Sequence, residues 1–153
     1  MNTRKVVIDS SALFALFFPE VYSEWVEKVI RYYEELHVPE LVFLETSSAA
    51  WKRIIVFKQP KDRVLNNLNL LHKFVKDVCV VHRDLDYVQR AIEISIELGV
   101  TVYDSLFLAL AESCRAKLLT IDRRLVENLK SRKEDYRVLS PWNINNYSME
   151  FLK

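Results

Sequence analysis

Glycine is almost missing from this chain: Gly99 is the only one in 153 residues. A Walker A loop, a G-x-G-x-x-G dinucleotide fingerprint and a G-x-S-x-G nucleophile elbow each need at least two, so all three are excluded. Phosphate chemistry would have to rest on metal ions or basic side chains. Cysteine is scarce too. Cys79 and Cys114 lie far apart and form no C-x-x-C pair, and His37, His72 and His82 show no zinc-finger spacing. Spacing alone thus offers no zinc motif, and both thiols read as small buried hydrophobes. Neither sign of charge dominates. Against 22 Lys and Arg stand 21 Asp and Glu, a formal charge of +1, which argues against coating nucleic acid by bulk electrostatics. No apolar run is long enough to span a bilayer. The N-terminal apolar run is cut by Asp9, too early for a signal peptide. The expectation is a cytoplasmic protein in a reducing compartment, with no membrane partner.

Half the residues are apolar, enough for one domain with a real core and too few residues for two. There is no repeat, linker or low-complexity tract. The expected domain covers residues 1–141, followed by a tail at 142–153 with no assigned role. Short apolar runs at Val6–Ile8, Val78–Val81, Leu118–Ile121 and Tyr136–Leu139 read as strands, separated by helical patterns. Tyr22–Leu36 reads as one amphipathic helix. A helix after Pro39 carries Leu41, Leu44, Ser48, Trp51 and Ile55 at helical spacing, and Trp25 and Trp51 read as core residues. Pro60 opens another helix. Asp84 reads as the cap of a helix with Leu85, Val88, Ile92 and Ile96 inward, ended by Gly99 in the left-handed conformation. Asp104 reads as opening a helix that is apolar nearly all round, hence buried on several sides. Strands alternating with helices indicate an α/β domain with a mostly parallel sheet. Ligands of such sheets bind beyond the carboxyl ends of the strands, and there stand Asp9 and Asp122.

Four carboxylates stand out. Asp9 and Asp122 each close a strand, Asp104 begins a buried helix, and Glu45 shares a helix face with Leu41 and Ser48. Each has a plain alternative: a helix cap worth about 1 kcal/mol for Asp9 or Asp104, a solvated turn with Arg123 or Arg124 for Asp122, an outward side chain for Glu45. Together they are costly, because two like charges at 4 Å repel by about 4 kcal/mol at an effective dielectric near 20. The counter-charge is then a divalent cation or arginine. Hard oxygen donors at an open crevice favour Mg²⁺ or Mn²⁺ over zinc.

Four segments carry a family resemblance: Val6-Val7-Ile8-Asp9-Ser10-Ser11-Ala12-Leu13, then Glu45, then Val102-Tyr103-Asp104-Ser105-Leu106-Phe107-Leu108-Ala109-Leu110-Ala111, then Leu119-Thr120-Ile121-Asp122-Arg123-Arg124-Leu125. In this order, over about residues 5–140, the chain resembles the PIN domain, and within it the VapC-type toxins. The resemblance implies a three-layer α/β/α sandwich with an acidic pocket for Mg²⁺ or Mn²⁺ and endoribonuclease activity on single strands. By it, Asp9, Glu45, Asp104 and Asp122 are the catalytic and metal-holding acids, and Ser10 and Thr120 support them. It also implies an RNA substrate, a homodimer or higher homo-oligomer, and an antitoxin partner. A stand-alone nuclease of RNA processing and a non-catalytic binding module remain alternatives within the family. A phosphotransfer domain with Asp9 as acceptor fits poorly, since Ser11 stands where a D-x-D motif wants its second acid.

Basic residues cluster at Lys52–Arg63 and Arg115–Arg137. Lys52, Arg53, Arg123 and Arg124 are the candidates for holding an RNA backbone, against the alternative of an ordinary solvated face. Glu20 and Glu112 read as solvated charge. The aromatic residues read mainly as core, with base stacking as the alternative.

Overall fold

The computed structural model describes residues 3–143. Five parallel strands form one sheet in the order β3-β2-β1-β4-β5. The strands are β1 (Lys5–Ile8), β2 (Glu35–Pro39), β3 (Val80–His82), β4 (Lys117–Leu119) and β5 (Val138–Leu139). The helices are α1 (Ser10–Phe17), α2 (Ser23–Tyr32), α3 (Leu41–Ile55), α4 (Lys61–Val78), α5 (Val88–Leu98), α6 (Val102–Cys114) and α7 (Arg123–Ser131). β1 sorts its side chains by the two-residue period of a strand. Val6 and Ile8 join the core under α1 to α4, and Val7 joins the core under α5 to α7. Two apolar layers on one parallel sheet make the α/β/α sandwich.

Several elements depart from the sequence reading. The amphipathic pattern at Tyr22–Leu36 is not one helix: α2 ends at Tyr32, and Glu35–Pro39 is β2. Leu36 and Val38 face one core, while the buried His37 faces the other side beside Val7. A strand covered on both faces has lost the alternation that would announce it. The next strand begins at Val80, because α4 runs through Val78. Asp84 does not cap α5, because Asp84–Asp86 is a separate 3-10 turn and Tyr87 precedes the helix; on α5 the inward stripe is Ala91, Ile94 and Leu98, whereas Val88, Ile92 and Ile96, like Leu85 in the turn, are exposed. On α3 the buried stripe is Val42, Thr46 and Ala50, while Leu44, Trp51 and Ile55 face outward, so Trp51 is not a core residue. In both helices a second, outward apolar stripe mimics the core stripe in sequence.

Gly99 does end α5 in the left-handed region, at φ 64°. Of the 142–153 tail, Trp142 packs against the second core and Asn143 is buried, its amide donating to the carbonyls of Val138 and Asp135 at 2.9 and 3.0 Å. The remainder of that tail, positions 144–153, lies outside the described residues.

Candidate active site

The parallel sheet puts the carboxyl ends of β1 and β4 side by side, and the chain turns there into α1 and α7. Asp9 follows β1 directly. Its backbone N–H still donates to Leu119 at 3.0 Å, so the residue is held in register as the strand ends. Its side chain caps α1, accepting from the Ala12 N–H at 3.0 Å and from the Ser11 hydroxyl at 2.6 Å. Asp122 caps α7 in the same way, accepting from the Leu125 N–H at 3.2 Å. The capping alternative holds at Asp9, and Asp122 is a cap as well instead of a solvated turn with Arg123 or Arg124: at each position one carboxylate oxygen serves the helix.

Asp104 is not a cap. Thr101 caps α6 by accepting from the Asp104 N–H at 3.1 Å, and the helix starts at Val102. Asp104 sits in the first turn with its carboxylate hydrogen-bonded to Thr101, and the helix behind it is buried from Ser105 to Ala111. Glu45, on α3, accepts from the Ser10 hydroxyl at 2.8 Å.

All four acids line one cleft of about 390 Å³, together with Ser10, Ser11 and Glu20. Among the described residues lining it there is no lysine, arginine or histidine. The electrostatics follow from that composition. Asp9 is 7 % exposed, and burial pushes its carboxyl up to about 6, against the hydrogen bonds from Ser11, Thr120 and Ala12. Glu45 is raised by burial, and its neighbours Asp104 and Asp122 push in the same direction. Asp104 is raised by burial and by Asp122, against the Thr101 hydrogen bond and, more weakly, Arg124.

Two residues carry more than the sequence reading gave them. Ser11 donates to Asp9 and accepts from the Ile121 N–H at 3.2 Å, clasping the two strand ends together. Its signal was the second serine after Asp9, overshadowed by Ser10. Glu20 lines the cleft instead of being a plain solvated charge: burial raises its carboxyl, and Arg53 lies 3.9 Å away. Thr120 is fully buried, hydrogen-bonds Asp9 and accepts from the Asp122 N–H at 3.0 Å.

The basic candidates divide. Arg53 does not line the cleft but lies 3.9 Å from Glu20, which does, and Arg124 lies close enough to Asp104 to lower its carboxyl. Arg123 pairs with Glu127 at 2.9 Å on α7, and the Lys52 ammonium lies 5.9 Å from the centre of the Phe57 ring. Glu112 is engaged by Arg90 at 3.0 Å.

The donors suit a hard divalent cation: carboxylate and hydroxyl oxygens without nitrogen or sulfur. They are more widely spaced than a closed cage. Among the described residues, the set of three metal-donor side chains whose ligand atoms come within 4.8 Å of one another lies elsewhere. An open arrangement suits an ion such as Mg²⁺, which keeps much of its water shell.

Known proteins share this architecture. The family model described as PIN domain matches residues 6–129. Ribonuclease VapC3 of Pyrobaculum aerophilum is 37 % identical over 123 residues, 80 % of this chain and 93 % of that protein. Exonuclease VapC9 of the same organism is 30 % identical over 127 residues, 81 % of this chain and 85 % of that protein. Among solved structures, a crystal structure from Pyrobaculum aerophilum superimposes with a TM-score of 0.64 at 25 % identity, covering 82 % of this chain and 79 % of the other. VapBC2 of Rickettsia felis, bound to a promoter DNA fragment, superimposes with a TM-score of 0.56 at 13 % identity, over 89 % and 96 % of the two chains, a likeness of fold. With the matched span running from the strand before Asp9 to the helix after Asp122, the chain belongs to the PIN domain family.

Proposed function

We propose that this protein is an endoribonuclease that hydrolyses RNA phosphodiester bonds with Mg²⁺ or Mn²⁺, and that it is the toxin of a toxin–antitoxin pair. The observation that carries the reading is the convergence of Asp9, Glu45, Asp104 and Asp122, from four separate segments, on one cleft lined by no basic side chain among the described residues. Such a cleft repels a phosphodiester unless a cation occupies it. Asp9, Asp104 and Asp122 would hold the ion, and Glu45 would complete the site or orient the attacking water. When bound, a divalent cation supplies Lewis-acid stabilisation of charge on the phosphate and lowers the pKa of water.

The chain's own residues prepare that site. Ser11 and Thr120 fix Asp9, Ser10 fixes Glu45, and the caps of α1 and α7 fix the two strand-end acids, so little ordering is left for the moment of reaction. Arg53 and Arg124 bring positive charge to the margin, where an RNA backbone would pass. Glu45, raised above its ordinary value by burial, is placed to take up a proton near the pocket.

The name of the VapC3 relative supports ribonuclease activity. The antitoxin reading draws support from the outward stripe of α3. Leu44, Trp51 and Ile55 are 70 %, 59 % and 49 % exposed, on the helix that carries Glu45.

The test is cleavage of a single-stranded RNA by the purified chain. Cleavage that needs Mg²⁺ or Mn²⁺, stops with a chelator and is lost in Asp122→Asn is expected. Cleavage at full rate by Asp122→Asn, or in chelator, would overturn the reading.

A further inference from the structure

We propose that His37, His82 and Cys114 form a zinc site at the β2–β3 edge of the sheet, separate from the acidic cleft. One ligand atom from each of the three lies within 4.8 Å of the other two. His37 Nδ1 and His82 Nε2 face each other at 2.9 Å. Two imidazoles and a thiol are the donor set of a borderline-soft ion, unlike the oxygens of the cleft.

The outer nitrogen of each ring is already held. His37 Nε2 lies 3.1 Å from Glu35 Oε2, and His82 Nδ1 lies 3.1 Å from the Tyr87 hydroxyl. Metal-bound histidines are oriented in this way by acceptors on their second nitrogen. The Glu35 carboxylate beside Nε2 is an acceptor, so the His37 proton sits on Nε2. That leaves the Nδ1 lone pair aimed at His82. Without a cation, His82 Nε2 donates to it and Tyr87 donates to His82. With a cation, His82 carries its proton on Nδ1, Tyr87 accepts, and both facing lone pairs turn to the ion. Zinc–nitrogen bonds of ordinary length would part the facing nitrogens by about 0.4 Å.

Sequence spacing missed the cluster because its members come from β2, β3 and the last turn of α6. The site would clamp the three-residue edge strand β3 to β2 and α6. Asp104 and Cys114 sit at opposite ends of α6, roughly 15 Å apart along its axis, so loading one site leaves the other's ligands untouched.

Cobalt(II) tests this, since a thiolate ligand gives it a near-ultraviolet charge-transfer band that oxygen ligands do not. The whole chain, with Mg²⁺ in excess to fill the acidic cleft, is titrated with Co²⁺ and then with Zn²⁺. One Co²⁺ per chain with that band, displaced by Zn²⁺, is expected. The band should vanish in Cys114→Ser, persist in Cys79→Ser and Asp9→Asn, and need about tenfold more Co²⁺ in Tyr87→Phe. His82→Ala, which alters a partly buried side chain on the edge strand, should abolish it with the far-ultraviolet circular dichroism unchanged. No band in the unaltered protein, or a band that survives Cys114→Ser or His82→Ala, would overturn the proposal and leave the three residues as a hydrogen-bonded clamp.

Discussion

Ser10 reaches across 35 residues of sequence to give its hydroxyl to Glu45 at 2.8 Å. The bond joins the first turn of α1 to α3 and holds a carboxylate over the cleft. It also lowers the Glu45 carboxyl against burial and against its acidic neighbours. Ser10→Ala should raise that carboxyl further. Activity is then expected to fall roughly tenfold, consistent with loss of about 1–1.5 kcal/mol from one hydrogen bond to a charged group. The acid limb of the pH–rate profile should move to higher pH. A profile that drops in height without moving would assign Ser10 a structural role only.

Asp9 gives a prediction about stability with the opposite sign to the usual aspartate. Its carboxyl is raised from 3.8 to about 6 by burial, so between those values the folded chain binds the proton more tightly than the unfolded one. Stability without divalent cation should therefore rise as pH falls from 7 towards 4, by up to about 3 kcal/mol from this group. Asp9→Asn keeps an acceptor for Ser11 and Ala12 but removes the buried charge. It should be more stable than the unaltered chain at pH 7, by about 1–2 kcal/mol, and lose this part of the pH dependence. Denaturant melts in chelator at pH 5 and pH 7 check both expectations, and the same variant should not cleave RNA.

Arg124 lowers the Asp104 carboxyl, and in the proposed function it has a role in holding RNA. Arg124→Ala should weaken RNA binding at low salt, reduce the slope of log affinity against log salt by about one, and shift the acid limb upward through Asp104. Arg123→Ala, whose partner is Glu127, should do less on all three counts. Equal effects from the two would remove the distinction drawn between them.

At Gly99, with φ 64°, an added Cβ would meet the Arg132 guanidinium at 2.7 Å. That group is the movable end of a long side chain, so the main cost is the left-handed backbone. Gly99→Ala should destabilise by about 1–2 kcal/mol and leave the rate of RNA cleavage unchanged. Thermal melts and an activity assay check the pair.

The four acids were legible because each is announced locally: Asp9 by the strand it follows, Asp122 by the apolar run before it although β4 itself stops at Leu119, Asp104 by the apolar helix behind it and Glu45 by the face it shares with Leu41 and Ser48. The Gly99 cap was equally local. What escaped depends on tertiary partners. β2 was hidden inside a helical pattern because His37 is buried on the face opposite Leu36. The outward stripes of α3 and α5 imitate core stripes, and only the sheet decides which face packs. Thr101 displaced Asp104 as the cap since threonine one turn earlier serves as well. The His37–His82–Cys114 cluster has no spacing to detect, because parallel strand order brings together residues 45 apart (His37 and His82).

The most direct measurement is a crystal soaked in Mn²⁺ and read by anomalous scattering. A peak bounded by the Asp9, Asp104 and Asp122 carboxylates, absent in Asp122→Asn crystals soaked alike, is what the account predicts. Manganese found only elsewhere on the protein, with the cleft empty at a concentration that supports RNA cleavage, would contradict it.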